Sequence, residues 1–178
     1  MRWRRLDVPG RDECALEELP SGWRLGGIAE FEAPSGLSRL EYTVECDREW
    51  RTVRARVRGM AGARPLELAI RRDATDDWHI GPAPIPALRG LVDLDLGFTP
   101  ATNLFPLRRL ALEPGQSAGA EAAWLDDEAW EFRRLPQRYE RRGEREYWYE
   151  SPSAGYAAML TVTAEGFVSD YPGLWSAA

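Results

Sequence analysis

The stretch 40-LEYTVEC-46 alternates without a break. Leu40, Tyr42, Val44 and Cys46 fall on one face, and Glu41, Thr43 and Glu45 on the other. The same two-residue period continues in 51-RTVRARVR-58, where Val53, Ala55 and Val57 turn inward and Arg54, Arg56 and Arg58 outward. In 66-LELAIR-71, Leu66, Leu68 and Ile70 oppose Glu67, Ala69 and Arg71. A strand sends successive side chains to opposite faces, so this pattern predicts half-buried antiparallel strands with one wet surface.

The punctuation between the strands agrees. Gly59, Gly62 and Pro65 separate the second and third, and 81-GPAPIPALRG-90 reads as a rigid connector. The segment 113-EPGQSAG-119 reads as a loop, and 156-YAAMLTVTAEGFVSDYPGLW-175 as a hairpin turning at Ala164-Glu165-Gly166. One short helix is expected around residues 11 to 19, with Asp12 as a cap. Many short strands with frequent turns predict an all-β fold, a single domain spanning 1–178 whose antiparallel sheet rolls into a spiral or an open curled barrel.

Composition narrows the chemistry. The net charge of -6 gives no basic footprint for nucleic acid. All 23 basic residues are arginine, so lysine nucleophiles, Schiff bases and an ordinary P-loop are excluded. His79 is the single histidine, which rules out a His-rich metal centre. No G-x-S-x-G elbow accompanies it to build a hydrolase triad. Neither a metal nor an organic cofactor is expected. Cys14 and Cys46 are far apart and read as two buried free thiols. The start lacks the apolar run of a signal peptide and no stretch suits a membrane span, so a cytoplasmic protein is expected.

The segment 91-LVDLDLGFTPATNLFPLRRL-110 carries the densest polar pattern. Read as two strands joined by a turn, it places Asp93 and Asp95 on one face, about 7 Å apart. That spacing suits an acid/base pair, a cation site or an ion cluster. If 91–97 and 105–112 pair as neighbours, Arg108 and Arg109 lie opposite the aspartates, and the structural ion cluster is favoured. Thr99, Thr102 and Asn103 satisfy local backbone groups in the turn, or offer hydrogen bonds to a ligand. The last third of the chain holds most of the aromatic side chains. In 145-REYWYES-151, Tyr147 and Tyr149 share one face and Trp148 the other. An exposed concave surface of such rings suits an amphiphile.

These residues resemble the bacterial "Putative glycolipid-binding" family. The likeness is densest in 89-RGLVDLDLGFTPATNLFPLRRLALEPG-115, 136-PQRYERRGEREYWYE-150 and 165-EGFVSDYPGLW-175. Trp3 and 40-LEYTVECDREWRTVRARV-57 add weaker support, and the likeness runs through nearly the whole chain. It implies a β-roll similar in shape to lipoprotein carriers, mycobacterial lipid carriers and a cofactor-free violacein-pathway enzyme. The positions it singles out are Asp93, Asp95, Thr99, Thr102, Asn103, Arg108, Arg109, Gln137, Tyr139, Asp170 and Tyr171. Together with Tyr147 and Tyr149, all of these but Asp170 form the expected ligand-binding set. The expected function is a soluble binder of an amphiphilic small molecule or glycolipid. The alternative is a cofactor-free enzyme using Asp93 or Asp95 as acid/base on a small hydrophobic substrate.

Overall fold

The computed structural model describes residues 1–178. The chain is 56% strand and 9% helix, so the fold is all-β. The first eight strands are β1 (Arg2–Arg5), β2 (Gly10–Leu19), β3 (Gly22–Ala33), β4 (Gly36–Cys46), β5 (Thr52–Ala61), β6 (Arg64–Arg72), β7 (Trp78–Ile80) and β8 (Ala83–Pro84). They form a continuous antiparallel meander. The strands β10 (Ser117–Gly119), β13 (Arg138–Arg141), β14 (Glu146–Ser151), β15 (Tyr156–Val162), β16 (Val168–Tyr171) and β17 (Trp175–Ala177) extend the same sheet on the far side of β1. The chain ends meet there: Trp3 pairs with Ala177 and Arg5 with Trp175. The 14-stranded sheet does not close, leaving β10 and β8 as its edges.

A second sheet of β9 (Asp93–Leu96), β11 (Ala122–Leu125) and β12 (Phe132–Leu135) stands apart, in the order β12-β11-β9. Here β9 and β11 run parallel, Asp93 beside Ala122 and Leu96 beside Leu125. A parallel pair needs a crossover. The intervening chain supplies it through a 3-10 turn, the helix α1 (Leu104–Leu110) and β10.

The helix overturns one sequence expectation. Residues 105–112 do not form a strand beside 91–97. Pro106 is the physical reason: it has no N–H for a sheet ladder, yet it fits the first turn of a helix. Arg108 and Arg109 then occupy the last turn, where positive charge complements the helix dipole. The helix expected at 11–19 is absent as well, because those residues belong to β2. A lone helix of that length gains little, whereas β2 has strand neighbours on both sides. Asp12 is not a cap; it points inward and is 1% exposed.

The strands expected at 40–46, 51–58 and 66–71, and the turn at 164–166, are present. Val53 departs from its expected inward face. Cys46 pairs with Thr52 while Glu45 pairs with Arg54, so Val53 is the extra residue of a bulge and is exposed. On the outer face Arg54, Arg56 and Arg58 pair with Glu45, Glu67 and Glu41, making a cross-strand ion ladder. Both cysteines are free and buried.

The small sheet and α1 pack on the inward face of the large one. Leu94, Leu96, Phe98, Leu104, Phe105 and Leu125 share a core with Leu25, Leu40, Tyr42, Val44 and Val57. Each such buried side chain contributes about 1.5–3 kcal/mol relative to exposure. The inside of the roll is therefore largely filled, and the hollow is narrower than the strand pattern alone suggests. A second cluster under the C-terminal strands is built around Tyr139, Tyr147, Tyr149, Leu160 and Val168.

Candidate functional site

Between the small sheet and strands β14–β17 lies a cleft of ≈ 340 Å³. Aromatic rings make its walls: Trp124 from β11, Tyr149 from β14, Tyr156 from β15, Tyr171 from β16 and Trp175 from β17. Tyr149 and Tyr171 meet edge-on with centroids 5.7 Å apart, and Tyr156 and Tyr171 at 5.3 Å. The Tyr156 hydroxyl donates to the Pro172 carbonyl at 2.6 Å, fixing its ring. Burial pushes the Tyr156 hydroxyl up to about 12, so it stays protonated at neutral pH.

The small sheet contributes Asp95, and the loop after β9 contributes Thr99 and Asn103. Asp95 accepts a hydrogen bond from Gln137 Nε2 at 2.6 Å on Oδ2. It has no arginine partner. Burial pushes its carboxyl up to about 6, the Gln137 bond opposes this, and the charges of Asp127 and Asp93 add to the rise. Gly97 sits beside it because a Cβ there would lie 2.8 Å from Trp124 Nε1 and 2.9 Å from an Asp127 carboxylate oxygen. Only a hydrogen lets β9 pass so close.

Arg5 and Asp127 also line the cleft. The Arg5 guanidinium meets Asp7 at 2.9 and 3.1 Å and Asp127 at 3.3 Å, and it stacks over Phe31 and Trp175. Ser151 also lines the cleft. It is 2% exposed, and its Oγ has no hydrogen-bond partner.

The other residues named from the sequence are distributed elsewhere. Asp93 is 1% exposed and is clamped by Arg109 through bonds of 3.0 and 2.5 Å. Burial pushes its carboxyl up, and the guanidinium opposes that. Arg108 does not meet Asp95; it stacks over Trp50, with its guanidinium carbon 5.4 Å from the ring. Thr102 Oγ1 accepts the Leu96 N–H and so braces β9. Asn103 Nδ2 donates to the buried Tyr139 hydroxyl at 2.9 Å, and Tyr139 packs against Tyr149 at 5.0 Å. Tyr147 faces a separate groove of ≈ 340 Å³, with Arg108, Arg141 and Arg145.

Thus five of the twelve expected ligand residues line the aromatic cleft: Asp95, Thr99, Asn103, Tyr149 and Tyr171. Gln137 and Tyr139 support two of these from behind. Trp124, Tyr156 and Trp175 belong to the aromatic set of the last third but not to the expected ligand set, and Arg5, Asp127 and Ser151 belong to neither. Their separation in sequence hides them, Arg5 and Asp127 being 122 residues apart. The one available signal was the aromatic density of the last third.

A deeper polar knot joins the cleft to the large sheet. Asp12 accepts bonds from the Tyr42 hydroxyl at 3.0–3.1 Å and from the Thr99 hydroxyl. Burial pushes the Asp12 carboxyl up to about 6, against those two bonds. Tyr42 fits there because it lies over Gly27, its cross-strand partner, where a Cβ would come within 2.4 Å of the hydroxyl. His79 Nε2 bonds Asp73 at 2.8 Å. No group of three or more His, Cys, Asp or Glu side chains is arranged to hold a metal ion. No helix is long and apolar enough to cross a membrane.

Comparison with known proteins adds three findings. A family described as "Putative glycolipid-binding" matches residues 1–177. The crystal structure of a DUF1089 family protein from Pseudomonas aeruginosa is 30% identical and superposes with a TM-score of 0.80. That similarity covers 94% of this chain and 92% of the other. No curated protein matches.

Proposed function

The chain belongs to the "Putative glycolipid-binding" family, and from that premise we propose that it binds an amphiphilic small molecule in the aromatic cleft between β9–β11–β12 and β14–β17. One observation carries the reading. A cavity of ≈ 340 Å³ is lined by five aromatic rings together with polar and charged side chains. That volume lies within the range of small-molecule sites, and a lining of aromatic rings interleaved with polar groups suits a molecule that is itself both apolar and polar. The rings offer flat apolar area at low entropic cost, and their number suits an acyl chain or the apolar face of a sugar. Thr99, Asn103, Tyr149 and Tyr171 serve as contacts. Gln137 and Tyr139 position Asp95 and Asn103, and Asp93 with Arg109 holds β9 to α1. Arg108, Thr102 and Tyr147 fall outside the ligand set in this reading.

The test is native mass spectrometry of protein freshly purified from its own host, with calorimetric titration by alkyl glucosides below their micelle threshold. A bound amphiphile lost on Tyr171→Ala and Trp124→Ala, with both variants folded, supports the reading. Stoichiometric binding that ignores both substitutions would place the ligand elsewhere.

A second reading has its own support. Asp95 is a cleft carboxylate without an arginine, held near neutrality in its titration. Such a group is suited to proton transfer without a cofactor. The bound molecule, identified by mass, would then change chemically on incubation with the wild type and stay unchanged with Asp95→Asn. Unaltered mass in both leaves binding alone.

A further inference from the structure

The lining of the cleft mixes aromatic rings with polar groups whose charge is strongly one-sided. We infer that this lining takes a head-group that donates hydrogen bonds and carries no negative charge, a sugar or an amine, received by Asp95 and Ser151. Amphiphiles headed by phosphate or carboxylate are turned away. This rests on the amphiphile-binding reading and adds selectivity to it.

Four carboxylates line the cleft, Asp7, Asp95, Asp127 and Glu128, against a single cation, Arg5. The cation is already committed. Its Nε and one terminal nitrogen bond Asp7, both terminal nitrogens reach Asp127, and its plane is covered by Phe31 and Trp175. An incoming anion finds no free guanidinium fork and meets an excess of negative charge in a partly enclosed space, where repulsion is screened less than at an open surface.

Two acceptors remain open. Asp95 Oδ2 takes the Gln137 amide, while its other oxygen has no bond within the protein. Ser151 Oγ is buried on the same cleft beside the Tyr149 hydroxyl, with no well-formed hydrogen bond of its own. A buried hydroxyl without a partner carries a desolvation cost that a bound hydroxyl or amine relieves. The adjacent rings favour both candidate heads. Sugar C–H faces pack on flat aromatic surfaces, and an ammonium is drawn to the ring face. The molecule has a contrasting surface. Of its 23 arginines, five have no carboxylate partner within 4 Å: Arg4, Arg64, Arg108, Arg141 and Arg145. Three of these five line the separate groove beside Tyr147. The cleft and that groove therefore sort by charge, and a test has to report on the cleft alone.

Competition calorimetry does this with three probes sharing one tail: octyl glucoside, octylammonium and octyl phosphate, at constant ionic strength. The expected result is that octyl glucoside or octylammonium binds the wild type, and that octyl phosphate displaces it at least tenfold more weakly. A tenfold gap is about 1.4 kcal/mol. Whichever of the first two binds tighter identifies the head as sugar or amine. Ser151→Ala should weaken octyl glucoside several-fold, and Asp95→Asn should weaken octylammonium at least tenfold while narrowing the phosphate gap. Octyl phosphate that competes within threefold of the neutral probe overturns the selectivity and leaves amphiphile binding standing. Failure of all three probes to bind removes both.

Discussion

The buried knot at Asp12 makes the stability of this protein depend on pH in an unusual direction. In the folded state burial raises the Asp12 carboxyl to about 6, from an ordinary value of 3.8. Between those values the folded chain holds a proton that the unfolded chain releases. Stability therefore falls as pH rises through this window, and is regained as pH falls toward 4. For a single group with these two values, the cost of keeping Asp12 folded is about 3 kcal/mol at pH 7 and about 1–2 kcal/mol at pH 5. Acidifying from 7 to 5 should return roughly 1 kcal/mol through Asp12 alone. The perturbation that isolates it is Asp12→Asn, which keeps the shape and removes the titration. The assay is urea unfolding at both pH values, followed by far-UV circular dichroism and tryptophan fluorescence. The wild type should gain about 1 kcal/mol more than the variant on acidification. The difference of slopes matters here, since the change of side chain shifts the absolute stability at both pH values. Equal pH dependence in the two proteins would refute the buried, proton-holding Asp12, and with it the account of how Tyr42 and Thr99 tie the cleft loop to the sheet.

Arg109→Ala leaves Asp93 buried without its guanidinium and should cost about 3–5 kcal/mol in chemical denaturation, with much of that returned by adding Asp93→Asn. Gly27→Ala pushes a methyl into the Tyr42 hydroxyl and should cost about 1–3 kcal/mol, read as a lower Tm by circular dichroism. Tyr139→Phe strands the Asn103 amide in the core and should cost about 1–3 kcal/mol while leaving the strand content of the spectrum unchanged. Gly97→Ala should lower Tm by circular dichroism and also weaken any cleft ligand in calorimetry, because the added methyl meets Trp124, Asp127 and the Leu125 carbonyl at the cleft wall.

Much of the architecture was legible locally. Alternation in 40–46, 51–58 and 66–71 carries the strands, since facing one side to water and one to the core is a property of neighbouring residues. The exceptions mark where local pattern is ambiguous. The apolar run 104-LFPL-107 has no alternation, and Pro106 is the one residue that argues against a strand there. Residues 11–19 carry two leucines three apart that fit a helix turn, but strand partners on either side outweigh it. Val53 reads as inward until the register slips by one residue at the bulge.

By itself, then, the sequence determined the class of fold, the wet outer face with its outward arginines, and the family resemblance, because each of these is written in short spacings or in contiguous blocks. Only the tertiary structure decided what fills the roll and what is left open. The parallel pairing of β9 with β11 brings α1 into the interior and leaves Asp95 facing rings from four C-terminal strands and a small-sheet strand. Arg5 meets Asp127 across 122 residues, and Trp3 donates to the Val168 carbonyl across 165. Contacts of that span depend on how strands from both ends of the chain are brought side by side, and no local period records it.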